Sequence, residues 1–214
     1  MYRAIIFDLD GVITDTARYH YLAWKRLAEG LGVPFDEAFN EGLKGVDRMG
    51  SLDLILRRGG LDPDVAERLR LADQKNDDYR QLVATMTRAD VLPGALEALE
   101  AARGLGLKVG LASVSKNAGT ILERLEITSF FDVVADANLI RRGKPDPEIF
   151  LTVAEQMGIA PADCIGVEDA AVGVQAIKSA GMLAIGVGDP VILAQADRVV
   201  PSLVGFDLAA LLKT

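Results

Sequence analysis

Four short apolar runs punctuate the chain: Ala4–Phe7, Lys108–Ala112, Cys164–Val167 and Leu183–Val187. Each is followed by polar or glycine-containing turns, and the segments after the last three carry helical patterns. Buried strands alternating with helices predict an α/β fold with a parallel sheet covered on both faces. Val133–Val134 predicts a further, shorter strand. Residues 17–88 follow another period. Trp24, Leu27, Ala28 and Leu31 fall at i, i+3, i+4 and i+7, one face of a helix, which the glycines of "EGLG" stop. "SLDLILRRGG" and "DVAERLRLADQKNDDYRQLVATM" also read as helical, the second with its charges spread over an outer face. With no strand pattern in this block, an all-helical insert of about 70 residues is expected. It makes residues 15–88 one domain and residues 1–14 with 89–214 another. Thr14–Thr16 and Thr87–Asp90 are the expected hinges, and Pro93–Gly94 turns the chain into a helix of the larger domain.

Composition narrows the function classes. A net charge of −8 over 214 residues repels nucleic acid and anionic membranes at long range. An anionic ligand then needs local cations or a bound metal. No stretch approaches the roughly 20 apolar residues of a membrane span, and the apolar start is interrupted by carboxylates, a poor signal peptide. A single cysteine, Cys164, excludes an intrachain disulfide. A reduced, cytoplasmic protein is expected, with no nucleic acid or membrane partner.

Ligands of open parallel sheets bind beyond the carboxyl ends of the strands, so the residues there are the candidates for chemistry. After the first run come Asp8 and Asp10, which on an extended chain point to one side and suit a nucleophile beside a proton carrier. Asp is also common in turns and caps. "SVSKNAGT" follows the second run. Ser113, Ser115 and Asn117 together with free helix N–H groups make an anion site, or else Ser115 or Asn117 simply caps a helix. In "RRGKPDPEIF", Asp146 is expected to cap a helix with Pro147 at its first position and Glu148 in its first turn. Lys144 would be carried inward by Pro145, and its value depends on a nearby anion. Glu168 and Asp169 form a second acidic pair, which would favour a helix dipole. Two acidic pairs at neighbouring strand ends repel unless a divalent cation such as Mg²⁺ joins them. One histidine and one cysteine argue against a zinc cluster.

Taken in order, "DLDGVITDT", "SVSK", "KPDP" and "GVEDA" resemble the haloacid dehalogenase superfamily, and the "FDLDG" opening is similar to its phosphotransferases rather than its dehalogenases. The resemblance implies a Rossmann-like core with a helical cap inserted after the first strand. It makes Asp8 the nucleophile that becomes an aspartyl phosphate. Asp10 is the general acid/base, giving its backbone carbonyl to Mg²⁺. Ser113 and Lys144 hold the transferring phosphoryl group, and Glu168 and Asp169, with Asp8, serve the metal. Phosphoryl transfer puts charge on the equatorial oxygens, which these cations and N–H groups would offset.

Further stretches, "GVITDTARYHYLAW", "FNEGLKGVDR" and "QKNDDY", resemble the superfamily's sugar-phosphate mutases and extend the likeness over essentially the whole chain. By that resemblance Thr16 and His20 act at the hinge and help place Asp10. Lys44, Gly45 and Arg48 meet the sugar phosphate, Arg48 at the phosphate that is not transferred. Lys75 and Asn76 contact substrate from another cap helix, and Val114, Ser115, Lys116 and Asn117 line the site from the core. Trp24 belongs to the same set, although a tryptophan at helical spacing is more often core than a ligand platform. An alanine is expected between the two serines; Val114 stands there and would narrow the pocket. Singly, His20 would be a packed or surface histidine and Lys44, Arg48 and Lys75 solvated charges. The implied activity interconverts β-D-glucose 1-phosphate and glucose 6-phosphate through β-glucose 1,6-bisphosphate, with cap closure excluding water. A monomer acting on a small sugar phosphate is expected. A Mg²⁺-dependent phosphatase of a small sugar phosphate or phosphoglycolate with the same Asp8 chemistry is the rival, followed by a non-catalytic sugar-phosphate-binding module.

Overall fold

In this computed structural model, which describes residues 2–43, 46 and 48–212, the apolar runs become strands of one sheet. The strands of that sheet are β1 (Ala4–Phe7), β2 (Lys108–Leu111), β3 (Val133–Val134), β4 (Cys164–Glu168), β5 (Leu183–Val187) and β6 (Arg198–Val200). Every neighbouring pair is parallel, in the order β3-β2-β1-β4-β5-β6. β1 lies inside the sheet with all four residues fully buried. A strand covered on both faces has no wet side, so it reads as an unbroken apolar run. β6, with Arg198 exposed and its valines half-buried, is a short edge strand with no such run, and the sequence pattern passes over it. β4 continues one residue beyond the apolar run, which puts Glu168 on the strand itself.

Two compact units are present, Met1–Asp15 with Met86–Thr214, and Thr16–Thr85. The second is helical: α1 (Ala17–Gly30), α2 (Glu37–Glu41), α3 (Arg48–Arg58) and α4 (Val65–Val83). Trp24, Leu27 and Ala28 of α1 enclose its core with Leu52, Ile55 and Leu56 of α3 and Leu71 and Ala72 of α4. Asp36 and Asp64 cap α2 and α4 by accepting the N–H of Phe39 and Glu67.

The sheet unit adds α5 (Ala95–Gly104), α6 (Ala118–Arg124), α7 (Glu148–Met157), α8 (Ala171–Ser179) and the short α9 (Leu208–Leu211). Ala4 and Ile6 pack with Ile149, Phe150 and Val153 of α7 and Val174 and Ile177 of α8. By strand alternation Ile5 and Phe7 face the other way. Two strand glycines let these helices approach: a Cβ on Gly110 would meet Val153 Cγ1 at 2.4 Å, and one on Gly166 would meet Ile177 Cγ1 at 2.6 Å. α7 begins at Glu148, one residue later than the Asp146–Pro147 punctuation predicts. Asp146 still accepts the Glu148 N–H at 3.0 Å, with Pro147 as the flanking residue. Among the described residues no helix is long and apolar enough to cross a membrane.

Gly94 opens α5 at φ +85°, and a Cβ there would lie 2.2 Å from the Leu203 carbonyl carbon. A left-handed backbone against immovable main chain makes Gly94→Ala destabilising by more than about 2 kcal/mol. Gly104→Ala, in open space in the last turn of α5, is expected to gain up to about 1 kcal/mol. Urea unfolding of the two variants checks the contrast, and similar midpoints would refute it.

Candidate functional site

Three carboxylates converge at the carboxyl ends of β1 and β4. One oxygen each from Asp8, Glu168 and Asp169 lies within 4.8 Å of the others. Asp8 is 8% exposed and Glu168 2%. Burying like charges this way is costly without compensation, and the structure supplies a cation. The Lys144 ammonium donates to Asp8 Oδ1 and, at 2.7 Å, to Glu168 Oε2. Burial would lower the pKa of Lys144, but Asp8 and Glu168 more than offset this and hold it above the ordinary range. Burial, then repulsion from Asp8, raises Glu168 to about 8 despite Lys144. Asp169, open to solvent on one side, is pushed up to about 6 by the desolvated surroundings of its carboxyl and by Asp8.

Two glycines make room for these carboxyl groups. A Cβ on Gly173 would fall 2.0 Å from Glu168 Cδ, and one on Gly11 would fall 1.9 Å from Asp169 Oδ2. The donor set is all oxygen, which suits a hard divalent cation and not a thiolate- or imidazole-seeking one.

Asp10 lies past the end of β1. Leu9 O accepts N–H groups from both Ile13 and Thr14, so the chain turns and the extended path that would align Asp10 with Asp8 ends at Asp8. After β2, the buried Ser113 accepts the Ser115 N–H on Oγ at 3.1 Å, and Ser115 Oγ accepts the Asn117 N–H at 3.3 Å. These turns fix the loop into α6 and leave Val114 56% exposed. Asn117 flanks α6 without a side-chain cap bond.

The helical unit carries cations instead. Lys75 on α4 is 4% exposed. Its ammonium lies 4.6 Å from the Trp24 ring centre and 5.0 Å from that of Tyr79, and it donates to His20 Nδ1 at 2.8 Å. The His20 ring stacks on Tyr79 at 4.1 Å. Burial, then the Arg48 charge, lowers Lys75 to about 7. Crowding out of water, then Lys75 and Arg48, pushes His20 down as well. Arg48 donates to Asn76 Oδ1 at 2.8 Å.

The haloacid dehalogenase-like hydrolase profile matches residues 2–181. The chain belongs to this family. It is 49% identical over 200 residues to the β-phosphoglucomutase of Bacillus subtilis (strain 168), covering 92% of this chain and 88% of that protein. It is 31% identical over 182 residues to the phosphorylated carbohydrates phosphatase of Thermotoga maritima, 84% of this chain and 82% of that one. A crystal structure of β-phosphoglucomutase from Clostridium difficile superposes with a TM-score of 0.89 at 44% identity, covering all of this chain and 96% of that one.

Within this haloacid dehalogenase-like chain, Asp8, Lys144, Glu168 and Asp169 come together, as do His20, Trp24 and Lys75, and Arg48 with Asn76. Trp24 is 5% exposed and its ring belongs to the helical core beneath Lys75, which fits the packing role that its spacing favours. Thr16 is fully buried at the start of α1, its carbonyl accepting N–H groups of Tyr19 and His20. Val114, Ser115, Lys116 and Asn117 sit together on the loop after β2. Lys44 and Gly45 lie outside the described residues. Tyr79 was missed; it stands four residues after Lys75 on α4, the helical neighbour spacing. Gly173 was missed too, its signal being a small residue in the first turn of α8, five residues after Glu168.

Glu168 gives a pH test with a definite sign. Its folded-state pKa lies above the ordinary 4.5, so its contribution to stability is full below pH 4.5 and is lost as pH rises through about 8. In EDTA, Glu168→Gln should therefore gain on the wild type by about 2–4 kcal/mol between about pH 5 and pH 8. Urea unfolding at both pH values measures this, and parallel pH profiles would rule it out.

Proposed function

We propose that this chain is a sugar-phosphate mutase interconverting β-D-glucose 1-phosphate and glucose 6-phosphate through a phosphorylated Asp8 and β-glucose 1,6-bisphosphate. The carrying observation is the buried Asp8–Lys144–Glu168 constellation, in a chain 49% identical to a β-phosphoglucomutase. Asp8 attacks phosphorus and the sugar oxygen leaves with a proton from Asp10. In the return half-reaction Asp10 removes the proton from the acceptor hydroxyl as the phosphoryl group leaves Asp8. Ser113 and Lys144 hold the phosphoryl oxygens, Lys144 having been aimed there by its bonds to Asp8 and Glu168. Asp8, the Asp10 carbonyl, Glu168 and Asp169 would hold Mg²⁺, which when bound offsets charge on the transferring group.

Arg48, with its guanidinium oriented by Asn76, recognises the phosphate that stays on the sugar. Lys75 meets the substrate from α4, and Lys44 and Gly45 complete that set. Val114, exposed beside Ser113, bears on the sugar itself. The protein acts as a cytoplasmic monomer.

With Mg²⁺, β-glucose 1-phosphate and a trace of the bisphosphate, glucose 6-phosphate is the expected product by coupled assay. Release of inorganic phosphate in its place would establish the phosphatase alternative that the Thermotoga maritima relative raises. Asp8→Asn should abolish turnover. Asp10→Asn should lower kcat by about 10²–10⁴-fold while Mg²⁺ binding by calorimetry is retained, and near-normal turnover would remove Asp10 from its role.

A further inference from the structure

Asp10 sits in a loop whose backbone turns on Leu9 and Thr14. Leu9 O accepts the N–H of Ile13 at 2.9 Å and of Thr14 at 3.0 Å, and Thr14 O accepts the N–H of Gly11 at 2.8 Å. Asp10 and Thr14 are paired by a bridge, and Thr14 pairs antiparallel with Val91. The near end of the loop is anchored on the sheet, where the Asp8 N–H donates to Val167 O at 2.9 Å. The far end is anchored on the returning segment through two bonds: Leu92 N–H to Ile13 O at 2.8 Å, and Thr14 Oγ1 to Asp90 O at 2.7 Å.

The second of these bonds is the side-chain one, and Thr14 is fully buried. Its acceptor is itself set in place, because Asp90 closes a capping box with Thr87, whose N–H donates to Asp90 Oδ2 at 2.8 Å. Gly11 and Val12, with Leu92 and Pro93, border a cleft of about 560 Å³. Leu9, Val12 and Ile13 are buried and hold the loop to the core, while its hydrogen bonds set the path of the backbone between them.

We infer that Thr14 is a positioning residue for Asp10: its hydroxyl bond to the Asp90 carbonyl sets where the loop places the proton carrier. This rests on the role proposed above for Asp10. Proton transfer is sensitive to displacement, since a misplacement of about 1 Å can cost about 10²-fold in rate. Phosphorylation of Asp8 by an acyl phosphate, whose carboxylate leaving group needs no proton, does not pass through Asp10.

The test compares two phosphoryl donors in the wild type, Thr14→Val, Thr14→Ser and Asp10→Asn, all with Mg²⁺. With β-glucose 1-phosphate, whose leaving oxygen needs a proton, Thr14→Val should lower kcat by about 10- to 100-fold with little change in KM. With acetyl phosphate, the rate of Asp8 phosphorylation followed by intact mass should stay within about twofold of the wild type. Thr14→Ser, which restores the donor, should recover the sugar-phosphate rate. If Thr14→Val does not fold, the same split is read between Thr14→Ser and Thr14→Ala. Equal losses with both donors, or no loss with either, would overturn the inference. Asp10→Asn separates the two levels: if it shows no difference between donors, the role of Asp10 itself fails, whereas a difference there without one in Thr14→Val rejects Thr14 alone.

Discussion

The ammonium of Lys144, bonded at once to Asp8 and Glu168, is the contact on which the site depends. Parallel strands β1 and β4 are neighbours, so whatever follows their last apolar residues is brought together whether or not it is compatible. Here that is Asp8, Glu168 and Asp169. Without a cation, buried like charges would protonate or push the strand ends apart. Lys144 resolves part of the conflict, and the raised Glu168 shows that part remains. An acidic cluster under residual strain, with all-oxygen donors, has a physical reason to take a divalent ion.

The helical unit presents the reverse problem. Lys75 is buried between two aromatic rings with a histidine nitrogen as its acceptor, and Arg48 lies close enough to lower it further. Its protonated form is therefore held at a cost, which an arriving anion would reduce. The strand ends bury more carboxylates than Lys144 neutralises, whereas the buried ammonium of Lys75 has aromatic rings and a histidine nitrogen around it.

Much of the sheet was legible because its strands are covered on both faces: Ala4–Phe7, Cys164–Val167 and Leu183–Val187 have no wet side and so read as unbroken apolar runs. The edge strand Arg198–Val200 has no such signature, since half-buried valines beside an arginine look like any surface turn. In the helical unit, α1 was legible from the period of Trp24, Leu27 and Ala28, and α3 and α4 from their own stretches, whereas the five-residue α2 is too short to show a period. α7 starts one residue after the expected position, although Asp146 still accepts the Glu148 N–H in the manner of a cap.

For the site, the sequence alone determined which chemical groups stand at the strand ends, because parallel βα connections place post-strand residues at one edge. Asp8, Glu168, Asp169 and the Ser113 loop follow from that rule. Tertiary structure decided the partnerships. Lys144 is 24 residues from Glu168 and 136 from Asp8, and no local period links them. That Lys75 lies against His20 and Trp24, or that Thr14 bonds across 76 residues to Asp90, likewise depends on helix and strand packing. Local sequence sets backbone preference and burial, while charge compensation and hydrogen-bond partners are distances, and distances between residues far apart in the chain are fixed when the chain has packed.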